Sequence, residues 1–159
     1  ATWAGWFLSY DEQFMLLADE SQLDDLTRKL MRIGLDNIMG YVASTEAYVQ
    51  AGGKLETVKI VDTDTFKKVL EEPNVQVVDL RGATEFKSGH IKNADHVFVG
   101  TLLKNLDKVS KDKKVVIHCQ GGDRATIGYS LLAREGYNNV LNYSASMNEW
   151  IALGNKVEQ

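Results

Sequence analysis

The sequence predicts an α/β fold: a central, mainly parallel five-stranded sheet flanked by helices, preceded by the C-terminal half of a second module of the same kind. Three observations lead there. Short apolar runs of strand length alternate with helix-patterned segments, as in units whose parallel strands are covered on both faces. Residues with a turn or stop function, such as Pro73-Asn74, Gly89 and Gly136, punctuate them. The chain also overlays on itself without gaps at an offset of 102 positions.

The elements follow in order. Residues 56–61 read as a strand and 63–71 as a helix, with Thr63 or Asp64 able to cap it. Pro73-Asn74 breaks that helix, and residues 75–79 form an apolar run suited to a buried parallel strand. Residues 84–88 read as a helical turn ended by Gly89, residues 96–99 as a third strand, and residues 101–108 as an amphipathic segment. Residues 115–118 are a fourth strand. Residues 124–134 are a helix with Ile127, Leu131 and Leu132 on one face, stopped by Gly136 in a left-handed conformation. Residues 140–143 give a fifth strand and residues 146–153 a last helix.

The self-overlay pairs Leu30, Arg32, Gly34, Asn37, Tyr41, Ala43, Ser44, Gly52, Lys54 and Glu56 with Leu132, Arg134, Gly136, Asn139, Tyr143, Ala145, Ser146, Gly154, Lys156 and Glu158. A helix-stopping glycine and a strand tyrosine in one register point to duplication. Residues 1–55 then correspond to the back half of a module, and residues 56–159 to a whole one. In the first copy the strand at residues 14–18 runs into Asp19-Glu20-Ser21, without thiol, glycine pair or arginine. Such a half module has an unpartnered apolar face and sheet edge, so it is expected to pack on the intact domain or to form a homodimer.

Composition excludes several classes. Asp and Glu outnumber Lys and Arg by 22 to 18, and no basic run suggests a nucleic-acid or anionic-membrane partner. No apolar stretch approaches the roughly 20 residues of a membrane span. The first residues lack the basic region of a signal peptide, and Ala1 in place of an initiator Met fits a piece of a longer chain. A single cysteine excludes an internal disulfide and suits a reducing compartment, here read as the cytoplasm.

That cysteine carries the chemistry. The fourth strand ends in Cys119, followed by Gln120-Gly121-Gly122-Asp123-Arg124-Ala125 at the opening of a helix. Backbone N–H groups converging on a sulfur at a helix N-terminus favour a thiolate or an anionic group attached to it. Gly121 and Gly122 permit the backbone conformation and close approach such a loop needs. Arg124 can offer N–H donors to anionic oxygen. Asp123 either repels anions at the rim or caps the helix.

Residues 56–159 resemble a rhodanese domain. Asp79-Leu80-Arg81, Glu85-Phe86, Gly89-His90-Ile91 and Ala94 resemble the family's D-x-R…E-[FY]…G-H-I…A signature, and residues 119–125 its C-x-x-G-x-R-[SA] loop. The resemblance implies a sulfurtransferase in which Cys119 takes sulfane sulfur from thiosulfate or a low-molecular-weight persulfide. It then passes that sulfur, as a Cys119 persulfide, to sulfite, cyanide or a thiol. Arg124 binds the anion, the N–H groups of residues 120–125 cradle the sulfur, and neither metal nor organic cofactor is implied. A degenerate module before an intact one is similar to the C-terminal part of persulfide dioxygenase–rhodanese fusions, which act in sulfide and persulfide detoxification. Ala1-Thr2-Trp3-Ala4-Gly5-Trp6-Phe7 fits their middle module, and their metallo-β-lactamase-like domain would be the partner absent from this sequence. Departures from the family pattern are Ala125 where Ser is frequent, Ala145-Ser146 where Gly-Gly precedes the last helix, and no Pro near Val99-Gly100.

Bland readings compete at several positions. Asp79, Arg81 and Glu85 are expected to form a structural ion-pair network rather than to act as catalytic carboxylates. His90 is expected to be a packing residue, and His118 need not touch the sulfur because neighbours on a strand face opposite sides. Trp3, Trp6 and Trp150 read as core or module-interface residues. Competing functions are a non-catalytic rhodanese-like binding or regulatory module, and a Cys-dependent phosphatase or arsenate reductase. The latter needs five residues between Cys and Arg, whereas four separate Cys119 from Arg124.

Overall fold

A computed structural model describes residues 3–159. The chain divides between Thr57 and Val58 into two compact units. In the first, helix α1 (Ala4–Phe7) precedes strand β1 (Phe14–Leu17), helix α2 (Leu23–Met31), strand β2 (Ile38–Val42) and helix α3 (Thr45–Gln50). β1 and β2 pair in parallel as a two-stranded sheet. Leu30, Leu35 and Ala18 are buried, while Met15, Leu17, Met39 and Tyr41 are exposed.

The second unit contains β3 (Ile60–Val61), α4 (Thr63–Leu70), β4 (Val75–Asp79), α5 (Ala83–Ser88), β5 (Asp95–His96), β6 (Lys114–His118), α6 (Asp123–Arg134), β7 (Val140–Tyr143) and α7 (Ser146–Ala152). Its five strands form one parallel sheet in the order β3-β7-β6-β4-β5. β6 and the second half of β4 are buried, as expected of inner strands of a parallel sheet covered on both faces. On one face Phe66, Val69, Val77, Ile91, Val116, Tyr143, Met147 and Trp150 pack together. Phe66 stacks on Tyr143 with ring centroids 4.5 Å apart; burying such a side chain stabilises by about 1.5–3 kcal/mol. On the other face α6 lies close to the sheet because Gly128 carries no side chain. A Cβ there would lie 2.3 Å from Leu80 Cδ1.

Several boundaries differ from the sequence reading. The strand expected over 56–61 shrinks to Ile60–Val61, since only that stretch pairs with β7. Asp62, rather than Thr63 or Asp64, caps α4 by accepting from the Thr65 N–H at 2.7 Å. Thr63 is instead buried, hydrogen-bonded to the Tyr143 hydroxyl and to Glu149. The third strand is Asp95–His96, because the chain then turns into a 3₁₀ segment at Val99–Lys104. The amphipathic segment at 101–108 is therefore two 3₁₀ pieces, the second at Leu106–Lys108, and not an α-helix. Gly136 has φ +81°, the left-handed stop expected of it.

The order strand, helix, parallel strand, helix occurs in both units. Tyr41 and Tyr143 show what differs. Tyr143 is completely buried beneath α4, whereas Tyr41 is 43% exposed; no counterpart of α4 exists among the described residues of the first unit. Trp150 lies in the core, but Trp3 and Trp6 stack on one another at 6.3 Å and remain more than a third exposed, so neither is a core residue. No helix among the described residues is long and apolar enough to cross a membrane.

Candidate active site

β6 delivers Cys119 to the C-terminal edge of the sheet, and the chain turns through 120–122 directly into the twelve-residue helix α6. The Gly122 N–H points back to Cys119 Sγ at 3.1 Å. Gly122 has φ +105°, and a Cβ on it would lie 2.5 Å from the Ser144 carbonyl oxygen. The turn thus admits only glycine, on grounds of both conformation and space. The N–H groups of Asp123, Arg124 and Ala125 fall in the first turn of α6, which has no intrahelical acceptors for them. Of the expected cradle, the Gly122 N–H is the member seen bonded to the sulfur; the first-turn groups complete the positive helix end beside it.

Cys119 is only 1% exposed. Its N–H donates to Ser146 Oγ at 3.1 Å, and the same hydroxyl lies 3.9 Å from Sγ. Two backbone bonds fasten the start of α7 to the loop, Met147 N–H to Cys119 O and Asn148 N–H to Gln120 O. Gln120 reaches both ways: its Nε2 donates to Asn148 Oδ1 at 2.7 Å and its Oε1 accepts from Arg81 Nη1 at 3.2 Å. Gly121 is exposed beside Asn148. Asp123 is also exposed and does not cap: the cap position is held by Gly122, and Asp123 is the first residue of the helix, where its charge suits the helix dipole.

Beneath the loop lies the Asp79–Arg81 pair, both buried. Arg81 Nε donates to both Asp79 carboxylate oxygens at 3.0 Å, and Nη2 donates to Asp79 Oδ2 and to the Gly89 carbonyl at 2.7 Å. Glu85 does not complete that pair. It crosses to Arg124, accepting from Nη1 and Nη2 at 2.7 Å each, while also accepting from the Gly82 N–H at the start of α5. One carboxylate thus orders α5 and fixes the arginine at the site rim. His90 stacks on Phe86 with centroids 3.9 Å apart, and its Nδ1 bonds the Phe86 carbonyl. His118 is fully buried; its Nδ1 is 3.4 Å from the Cys119 carbonyl, and its Nε2 is 3.8 Å from Asp79 Oδ2.

A family model described as the rhodanese-like domain matches residues 62–153. The chain belongs to the rhodanese-like family. Among solved structures, a rhodanese-like domain protein from Staphylococcus aureus is 32% identical, with a TM-score of 0.57 over 64% of this chain and 97% of that one. A rhodanese-related protein from Thermoplasma volcanium shares the fold at 21% identity, with a TM-score of 0.58 over 63% of this chain and 97% of the other. Curated relatives include a tRNA uridine(34) hydroxylase of Hamiltonella defensa subsp. Acyrthosiphon pisum (strain 5AT), 30% identical over 56% of this chain and 27% of its own length. Another is the putative sulfur carrier protein YrkF of Bacillus subtilis (strain 168), 23% identical over 57% of this chain and 49% of its own. The matched part spans less than half of either curated relative.

The rhodanese-like domain's electrostatics follow from its pairs. The Arg124 guanidinium holds the Glu85 carboxyl down at about 2 against the opposing cost of burial. Arg124 is in turn held more firmly protonated, first by Glu85 and further by the Cys119 sulfur. Burial pushes the His118 ring below its ordinary range, with the Asp79 charge opposing. No group of three or more His, Cys, Asp or Glu side chains suited to a metal occurs among the described residues.

The depressed Glu85 value has a pH consequence. A carboxyl held below its unfolded value stabilises the fold above that value and ceases to do so as pH falls through the folded one. The contribution of the Glu85–Arg124 pair is therefore present above 4.5 and fades as pH falls toward about 2. Glu85 is 38% exposed, so the contribution is modest. Urea melts of the wild type and Glu85→Gln should differ above the window and converge within it. A gap that persists unchanged at the acid end contradicts the pair.

Three features escaped the sequence reading: Ser146 beside the sulfur, Asn148 on Gln120, and the crossing of Glu85 to Arg124. A signal existed for the first alone. Ser146 stands where the family pattern has glycine, and a residue with a side chain in such a place invites the question of what that side chain does.

Proposed function

We infer that the domain is a sulfurtransferase that carries sulfane sulfur as a Cys119 persulfide. The observation that carries this reading is the seat of Cys119 at the end of β6, with the Gly122 N–H on its sulfur and the first turn of α6 above it. The Cys119 thiolate attacks the outer sulfur of thiosulfate or of a small persulfide. The bond from that sulfur to the donor breaks, and its electron pair leaves with sulfite or with the donor thiolate. An acceptor, whether sulfite, cyanide or a thiolate, then attacks the terminal sulfur of the Cys119 persulfide. The Sγ–S bond breaks and the thiolate returns. The cycle balances without an external oxidant or reductant.

Only four residues separate Cys119 from Arg124, and Cys119 is a buried residue. A single added sulfur atom suits that space better than a tetrahedral phosphoryl group. The relative named a putative sulfur carrier supports the same chemistry. A role in sulfide or persulfide detoxification in the cytoplasm, beside a dioxygenase domain that makes or uses persulfides, is the setting this reading favours. The burial of Cys119 is what favours the competing reading, a module that binds without catalysis.

A panel of thiosulfate, glutathione persulfide, sulfite, cyanide and thiols, assayed by turnover, tests the activity. Arg124 is assigned to the anionic part of the donor. Arg124→Ala removes donors to an anion, an interaction that is worth about 1.5–3 kcal/mol. Its kcat/KM with thiosulfate should therefore fall roughly ten- to a hundredfold. Unchanged kinetics would remove Arg124 from substrate binding and leave it only its bond to Glu85.

A further inference from the structure

Ser146 combines three features that a helix-start serine does not ordinarily have. It is fully buried. Its backbone has φ +57°, a left-handed conformation that disfavours residues with a Cβ by about 1–2 kcal/mol. Its hydroxyl points away from its own helix, which has no side-chain cap. Ser44, the residue that the sequence offset aligns with Ser146, shows the ordinary alternative: it has φ −157° and caps α3, its Oγ accepting from the Ala47 N–H at 3.2 Å. Ser146 has given up that role.

Its hydroxyl instead sits among three groups. It accepts from the Cys119 N–H at 3.1 Å, donates to the Tyr143 carbonyl at 2.9 Å, and lies 3.9 Å from Cys119 Sγ. A serine has one hydroxyl hydrogen, so the carbonyl and the sulfur compete for it. A neutral thiol is a weak acceptor and loses that competition; an anionic sulfur is a strong one. Ala125, the loop position where the family often carries a hydroxyl, offers none.

We propose that Ser146 is a positioning residue for the Cys119 sulfur, its hydroxyl rotating from the Tyr143 carbonyl to Sγ when that sulfur is a thiolate. The hydroxyl absent at residue 125 is thereby supplied from the start of α7. The contact rests on geometry; its use in sulfur transfer, where that thiolate is the nucleophile, rests on the sulfur-carrier reading above.

Ser146→Gly tests it, because glycine suits the left-handed backbone and removes only the hydroxymethyl group. Cys119 is the sole cysteine, so alkylation by iodoacetamide reports on its thiolate directly. At neutral pH the variant should react roughly tenfold more slowly than the wild type, the effect of one hydrogen bond to an anion. At the alkaline limit, where both are fully ionised, the two rates should meet. Superimposable profiles overturn the proposal. So does a constant ratio at every pH, which would mean changed access alone. Ser146→Ala, which keeps the Cβ and the strain, must show the same convergence. Sulfane-sulfur loading of the wild type, followed in parallel, separates the two readings. Failure to load sinks the carrier function, whereas loading with coincident alkylation profiles sinks only the role of Ser146.

Discussion

Cys119→Ser should reduce sulfur transfer to the uncatalysed background, a loss of at least roughly 10³-fold given what removal of a covalent nucleophile costs elsewhere. The substitution is nearly isosteric, and Cys119 is held through its backbone as much as through its sulfur. Its N–H bonds Ser146 Oγ, its carbonyl accepts from Met147, and the loop beyond it is fixed by Gln120 on Arg81 and Asn148. The fold should therefore survive, with an unchanged denaturation midpoint, and the loss should lie in turnover. A serine hydroxyl at neutral pH supplies no anion comparable to a thiolate. A Cys119→Ser protein that still turns over thiosulfate would remove the covalent mechanism altogether.

The largest effect on stability is expected at Arg81. Asp79 is completely buried and Arg81 is 3% exposed, and the guanidinium supplies the counter-charge that allows the carboxylate to lie there. Arg81→Ala leaves an uncompensated charge in the interior beside the His118 Nε2, which has no hydrogen-bond partner. Removing one partner of a buried pair costs about 3–5 kcal/mol. Urea denaturation should show a lowered midpoint with little change in slope. The double variant Asp79→Ala/Arg81→Ala should lose clearly less than the sum of the single changes, since no charge is then stranded. Additive losses, or a single variant that costs less than about 1 kcal/mol, would mean that the pair is not the keystone of this edge of the sheet.

Much of this arrangement was legible in the sequence, and the limits have physical causes. β4, β6, α6 and β7 leave local marks: short, mainly apolar runs for strands buried on two faces, and a glycine at the helix stop. The nucleophile loop is local too, since Cys119, Gly122 and Arg124 lie close together in the chain, and Gly122 must be glycine both for its φ of +105° and for its closeness to Ser144. β3 and β5 are two residues each because pairing, not propensity, limits them, and pairing leaves no trace in composition. Glu85 reaches Arg124 across 39 positions and Ser146 reaches Cys119 across 27. Neither contact has a periodicity to betray it. Asp123 next to the loop was a candidate cap, yet the chain places Gly122 at that position because α6 begins one residue earlier than the sequence reading, at Asp123.

The central claim is that Cys119 itself carries the sulfur, and intact-protein mass spectrometry addresses it most directly. After incubation with glutathione persulfide and removal of excess donor, the wild type should gain the mass of one sulfur atom, and brief exposure to sulfite should remove it. Cys119→Ser should gain nothing. Uptake by the Cys119→Ser protein, or a wild type that gains no sulfur from any donor of the panel, would contradict the account.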